Sequence, residues 1–374
     1  MFDPSSFRDP ALAHKLIRGI DKHAAGIARQ RGEKYIVHIM EVCGTHTMAI
    51  AKNGIRDIMP ANIKLTSGPG CPVCVTANRD IDMAIEFAKH PEVIVTTFGD
   101  MLKVPGSYSS LNEEKGNGGD VRVVYSPLDA LAIAQQNPDR LVVFISVGFE
   151  TTTPIIAATI KRARDMKLEN FAVYAANKTV PNALRAIADD PDIQIDALIL
   201  PGHVSTIIGL DPYKFLATKF HIPGVITGFE PLDVLQGIYM LLKQIDASDT
   251  YIDIAYTRGV QAEGNPTAVK TIYEVFEETD AEWRGLGVIP GTGLAIKAEF
   301  AQYDALKRIE LDPPAPREIK GCQCGDVLRG ALPPYECRLF GKTCTPEHPI
   351  GPCMVSSEGS CAAYYRYTDY GRSK

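Results

Sequence analysis

The sequence predicts an α/β protein: two similar Rossmann-like domains of parallel sheet facing a cleft, followed by a C-terminal, loop-rich domain tied by cysteines. Three observations predict it. Short β-branched runs alternate with amphipathic segments, the pattern of parallel strands covered by helices on both faces. Gly- and Thr-bearing motifs recur at the ends of those runs. Beyond about residue 320 periodicity fades, and six of the nine cysteines gather there.

Residues 1–34 are read as an N-terminal helical segment. Strands are expected at 35–40, 63–67, 93–98, 121–126, 141–147, 171–176, 196–200 and 224–228, with amphipathic helices such as 80–89 and 128–136 between them. The first α/β domain is drawn at 35–127 and the second at 128–243. Residues 244–270 read as helical or irregular, and 271–311 as helix with a Gly-rich turn. Pro313, Pro314 and Pro316 then mark a break within a last region, 244–374. That tail buries too little apolar surface to hold itself together, so it needs a covalent or metal tie.

The repeats suggest a duplication. Gly44-Thr45-His46-Thr47 is matched with Gly148-Phe149-Glu150-Thr151, Pro69-Gly70-Cys71 with Pro201-Gly202-His203, and Thr96-Thr97-Phe98 with Thr227-Gly228-Phe229. The offset lengthens by about one βα unit after the first pair. Ligands gather at the C-terminal ends of parallel strands. Two facing halves would bring Cys43, Cys71, Glu150 and His203 towards one space.

With a net charge of -6 and no basic stretch, the chain is not expected to bind nucleic acid. No run approaches the roughly 18 apolar residues that span a bilayer. The opening MFDPSSFRDP lacks the basic start and apolar core of a leader. The expectation is a soluble cytoplasmic protein. In a reducing cytosol, nine cysteines point to metal or redox chemistry rather than to disulfide staples.

Cys322, Cys324, Cys337, Cys344, Cys353 and Cys361 supply the thiolates for a 4Fe-4S cluster. A four-cysteine zinc site prefers close C-x2–4-C pairs, and here the only close pair is Cys322-Gln323-Cys324. Structural or redox thiols are the third option, and spacing does not select four of the six. Cys71-Pro72-Val73-Cys74 is a C-x-x-C in a Gly-Pro-Gly turn, suited to a reversible disulfide or to half of a metal site. Cys43, exposed by the turn before Gly44, has His46 three residues on. Thiolate plus imidazole suits iron or zinc, or a nucleophile–base pair. Glu150 and His203 lie at strand ends, where the bland readings are a helix-dipole carboxylate and a satisfied turn histidine.

These segments together resemble the HypD family of hydrogenase maturation proteins. The resemblance is carried by Met40-Glu41-Val42-Cys43-Gly44 with His46-Thr47, Gly68-Pro69-Gly70-Cys71-Pro72-Val73-Cys74, and Thr97-Phe98-Gly99-Asp100. It continues through Gly148-Phe149-Glu150-Thr151-Thr152, Pro201-Gly202-His203-Val204-Ser205, Gly228-Phe229-Glu230-Pro231-Leu232-Asp233 and Glu282-Trp283-Arg284-Gly285-Leu286-Gly287. In the tail it rests on Cys324-Gly325-Asp326-Val327-Leu328, Cys337-Arg338-Leu339-Phe340-Gly341, Cys344, and Ser356-Ser357-Glu358-Gly359 before Cys361. One departure is Met48, where some members carry a second histidine.

The resemblance implies a 4Fe-4S cluster on Cys324, Cys337, Cys344 and Cys361, with Cys322 and Cys353 outside the set. It implies that Cys43 ligates a transient iron that gains CN and CO ligands, with His46 as ligand or proton donor. It also implies a HypC-like chaperone sharing that iron, a HypE-like cyanide donor, and a monomer that works in a heterocomplex. Cys71 and Cys74 would supply electrons for cyanide release, with Glu150 and His203 in the same catalytic group. Rival functions are a stand-alone iron–sulfur disulfide reductase, an interaction protein with a purely structural cluster, and a dinucleotide-binding oxidoreductase. No G-x-G-x-x-G follows the first strand to support the last.

Overall fold

Runs of Val, Ile, Leu and Phe bounded by Gly, Pro or Asn become strands because branched side chains pack on a pleated surface buried on both faces. The computed structural model describes residues 7–317 and 319–371. Met1–Ser6, read above for a leader, lie outside the described residues, as do Glu318 and Arg372–Lys374. All eight expected strands form: β1 (Val37–Glu41), β2 (Ile63–Ser67), β3 (Val93–Thr97), β4 (Val121–Val123), β5 (Leu141–Ser146), β6 (Phe171–Ala175), β7 (Ala197–Pro201) and β8 (Gly224–Thr227). Three more follow: β9 (Ile252–Ile254), β10 (Phe276–Trp283) and β11 (Gly287–Ile296).

The strands form two parallel sheets and one antiparallel hairpin. The first sheet runs β2-β1-β7-β8-β9, the second β4-β3-β5-β6, and the hairpin is β10-β11. Numbered by order of appearance within each sheet, both read 2-1-3-4, and the first adds a fifth strand. The second sheet is therefore an insertion between β2 and β7 of the first. Register is set in the first sheet by Met40 pairing with Thr66 on one side and Leu198 on the other. In the second, Val95 pairs with Val121 and Val143.

This topology reassigns the motif pairs. By place in the sheet, β1 corresponds to β3, β2 to β4, β7 to β5 and β8 to β6. The counterpart of Gly148-Phe149-Glu150 is thus Pro201-Gly202-His203, and Gly44-Thr45-His46 corresponds to Phe98-Gly99-Asp100. Gly and Thr recur at βα turns for general reasons, so residue matching alone misaligned them. The order also sets a switch point in each sheet, between β1 and β7 and between β3 and β5. There the following helices diverge and leave a crevice beyond the strand ends.

The expected helices form at Pro10–Arg31, Asn78–Lys89 and Pro127–Gln136. Asp9 caps the first through the Ala11 N–H, and Ser126 and Asp129 make a capping box on the third. Helix Pro10–Arg31 buries Ile20 and Ile27 in a core shared with Ile39, Ile199, Val225 and Ile238. Among the described residues no helix is long and apolar enough to cross a membrane.

The 271–311 region departs from its reading as helix and turn. Helix Pro266–Val275 gives way to the β10–β11 hairpin, in which Glu277, Glu278, Thr279 and Asp280 face solvent. Acidic residues are poor strand formers, and the register is held by buried ends, Phe276 opposite Ile296 and Trp283 opposite Gly287. Trp283, 1% exposed, donates from Nε1 to Thr292 Oγ1 at 2.8 Å and stacks on Phe149 at 5.8 Å. Beyond it the chain is mostly loop, with short helices Cys324–Leu328, Pro352–Val355 and Ser360–Tyr367.

Candidate metal and thiol site

Cys43 stands where β1 ends and helix Gly44–Lys52 begins, at the switch point of the first sheet. Its backbone is extended (φ −150°), and it occupies the N-cap position. The end of β2 closes on it: the Gly44 N–H donates to the Gly70 carbonyl at 3.0 Å. A Cβ on Gly70 would sit 2.2 Å from the Cys43 nitrogen, so only glycine fits there. Cys43 is 7% exposed. Burial pushes its thiol up to about 12, the Glu358 carboxylate adds to the rise, and the His46 and Thr45 N–H groups oppose it. At neutral pH Cys43 is a thiol that gives up its proton only to a metal or a base.

His46, one turn on, is fully buried. Its Nε2 lies 3.0 Å from the Gly228 carbonyl and 2.8 Å from Thr227 Oγ1, which sets Nε2 as the N–H. Nδ1 is buried without a partner. Burial lowers the imidazole to about 4, so it is neutral and keeps a free lone pair. The ring stacks on Phe229 at 4.8 Å, and Phe229 stacks on His203 at 3.9 Å. His203 follows β7, across the switch point from Cys43. The β1 and β7 turns are thus joined through one aromatic ring.

The second thiol site is a disulfide, Cys71–Cys74, with both residues buried. It caps and spans the short helix Pro72–Val75. Cys74 Sγ lies 3.9 Å from the Pro352 carbonyl. From there the C-terminal chain runs past each part of the site in turn. Ser356 Oγ donates to Asp100, at the switch point of the second sheet, at 3.2 Å. Glu358 accepts from Thr45 Oγ1, beside Cys43, at 2.6 Å. Cys353 and Cys361 lie on the flanking helices.

All six C-terminal cysteines line a single small pocket, with Val327, Leu339, Phe340, Gly351 and Met354. The Cys324 and Cys353 sulfurs are 2.9 Å apart. The Cys322 and Cys353 thiols hold Cys324 below the ordinary thiol range against its burial, and the charge of Arg284 adds to this. Cys322 and Cys353, expected outside the ligand set, border the same space as the other four. Among the described residues no three His, Cys, Asp or Glu converge as a single-ion site. Soft sulfur donors in an apolar wall, with no carboxylate or imidazole among them, fit an iron–sulfur group.

Glu150 lies past β5, at the switch point of the second sheet. One carboxylate oxygen accepts from the Val180 N–H at 2.9 Å, and the other is buried without a partner. Burial raises the group to about 7, against the N–H bonds. Burial pushes the phenol of Tyr213 well up, and the Glu150 carboxylate adds to the rise. Because the folded value lies above the unfolded one, the stability contribution is full below the unfolded value and is lost as pH rises through about 7. Thermal unfolding from pH 6 to 8 checks this: Glu150→Gln is expected to raise the melting temperature at pH 8 and to flatten the pH dependence. A wild-type pH slope in the variant would contradict it.

The structure links His46 and His203 through Phe229, with Cys43 one turn before His46, and sets Cys71–Cys74 against the segment carrying Cys353 and Cys361. Glu150 is held at the switch point of the second sheet by the Val180 N–H. Sequence reasoning missed Glu358, Phe229 and Thr227 as parts of the site. Glu358 and Phe229 stood in motifs already noted, but their partners lie far away in sequence, so residue type held no signal of the role.

Comparison with known proteins identifies the family. The family model HypD, described as the hydrogenase formation hypA family, matches residues 15–368. The chain is 46% identical to hydrogenase maturation factor HypD of Rhodobacter capsulatus, over 97% of both chains. It is 46% identical to the HypD of Azotobacter vinelandii, over 96% of this chain and 95% of that one. It is 44% identical to the HypD of Escherichia coli, over 96% of each. Matches of this length, through every element that builds the site, show that the chain belongs to the HypD family of hydrogenase maturation factors.

Proposed function

We propose that this chain is a redox-active scaffold on which the iron of nickel–iron hydrogenases receives two cyanides and one carbonyl. The observation that carries the reading is the Pro352–Cys361 segment. It touches the Cys71–Cys74 disulfide, the Cys43 turn and the six-cysteine pocket, so one stretch of chain couples all three.

The iron under assembly is the cargo. Cys43 gives up its proton to bind it, sharing the metal with a cysteine of a small HypC-like chaperone. The unpartnered Nδ1 of His46 is a ligand or proton acceptor beside it. A HypE-like partner brings cyanide as a thiocyanate on its own cysteine. Breaking that S–CN bond takes two electrons. The Cys71–Cys74 dithiol gives two electrons and two protons as it becomes the disulfide. One proton leaves with the partner's thiol and the other with the cyanide, which loses it on binding iron. Glu150 and His203 are suited to carry such protons. Cys324, Cys337, Cys344 and Cys361 would hold a 4Fe-4S cluster, which would relay single electrons from an outside one-electron donor; two of them, with two protons from solvent, return the disulfide to the dithiol. The reducing cytoplasm suits this cycle.

A stand-alone disulfide reductase fits less well. A reductase needs only the C-x-x-C and the cysteine pocket, and leaves the buried, unpartnered His46 Nδ1 one turn from Cys43 without a use. Anaerobic preparations are expected to hold about four iron and four sulfide per chain. Cys322→Ser and Cys353→Ser should keep them, and Cys324→Ser should lose them. One zinc per chain without sulfide would refute the cluster.

A further inference from the structure

Arg284 lies on the turn between β10 and β11, in the Glu282–Gly287 motif that the proposed function leaves unused. It is 7% exposed. The hairpin aims it inward. Trp283 anchors the turn in the core and bridges to Thr76, just past the C-x-x-C. The Arg284 N–H donates to the Val75 carbonyl at 2.9 Å, and its Nε donates to the Thr76 carbonyl at 2.9 Å. The next residue, Gly285, adopts φ +77° and packs against Gly325. A Cβ there would lie 2.2 Å from the Gly325 Cα, so the turn is pressed directly on the backbone that follows Cys324.

The guanidinium is left with charge to place. Its Nη2 is buried and without a partner. Among the described residues no carboxylate forms an ion pair with it. Asp326, which lines the same cleft as Arg284, Cys322 and Cys324, is bound to Arg329 at 2.8 Å. A buried cation needs a countercharge close by. The cleft it lines is shared with Cys322 and Cys324, which also border the six-cysteine pocket.

We propose that Arg284 is the built-in countercharge of the cysteine pocket: its guanidinium, fixed between the Thr76 carbonyl and Cys324, offsets the negative charge of a bound four-iron cluster and favours the cluster's reduced state. Four thiolates outweigh the positive charge of the iron–sulfur core, and reduction adds one more electron. A fixed cation in an apolar wall lowers the cost of that electron. The residue is a positioning group held against both the electron store and the disulfide segment. This role rests on the cluster assigned under the proposed function.

The test is a potentiometric titration of anaerobic Arg284→Gln and Arg284→Lys, followed by the spin signal of the reduced cluster. Arg284→Gln is expected to shift the midpoint to more negative potential, and Arg284→Lys, which keeps the charge, to restore most of the shift. A Gln variant that binds the cluster with an unchanged midpoint overturns the role. If Gln loses the cluster and Lys keeps it, the countercharge is supported by cluster content instead. If both lose it while circular dichroism stays wild type, the residue serves packing and the proposal fails. A wild-type chain without iron and sulfide would remove the cluster itself, a separate failure seen before any variant is made.

Discussion

Cys43→Ala is expected to leave the chain folded and its C-terminal cysteines filled, yet to lose the iron under assembly. The change removes one sulfur from a turn whose geometry is fixed by other groups: the Gly44 N–H on the Gly70 carbonyl, Thr45 on Glu358, and His46 on Gly228. Its cost to folding is therefore small. The loss of binding is not, since altering even a group that only orients a ligand costs 10- to 100-fold in affinity. Removal of the ligand itself should cost at least about 100-fold. The measurement is iron kept by the anaerobic heterocomplex after desalting, with the cluster iron of the free chain subtracted. Undiminished iron in Cys43→Ala would move the cargo elsewhere.

Cys71→Ser and Cys74→Ser should each abolish maturation while leaving iron and sulfide in the tail unchanged. The crosslink closes a loop of sequence separation 3, so chain entropy assigns it only about 2 kcal/mol. That is a minor part of the roughly 5–15 kcal/mol of a folded domain. Neither variant should unfold. What disappears is the two-electron couple, since one remaining thiol cannot form the disulfide that balances S–CN cleavage. Hydrogenase activity in cells carrying only the variant is the readout. Full activity from either serine variant would exclude the pair as the electron source.

Much of the fold was legible because the two sheets are built from local patterns. Runs such as 93–97 and 141–146 are apolar on both faces and bounded by turn residues, so their state follows from the residues themselves. Sheet order was not legible in this way. Whether β7 pairs with β1 or with β6 depends on crossovers that no single strand encodes, and the inserted second sheet scrambled the motif pairing. The β10 strand was hidden by its acidic face, because burial at Phe276 and Trp283 alone determines it. The site divides similarly. Cys43, His46, Cys71 and Cys74 were visible as reactive types at strand ends. Glu358 and Phe229 act only through chain segments folded back on these turns. The free Nδ1 of His46 follows from a hydrogen bond to Gly228, which no spacing foretells.

The coupling of three thiol sites around one iron is tested most directly by infrared spectroscopy of the complex between this chain and its small chaperone, purified without oxygen. The account predicts cyanide and carbonyl stretches in the wild-type complex and their absence in Cys43→Ala. A complex rich in cluster iron but silent in that region, or bands that survive the loss of Cys43, would contradict it.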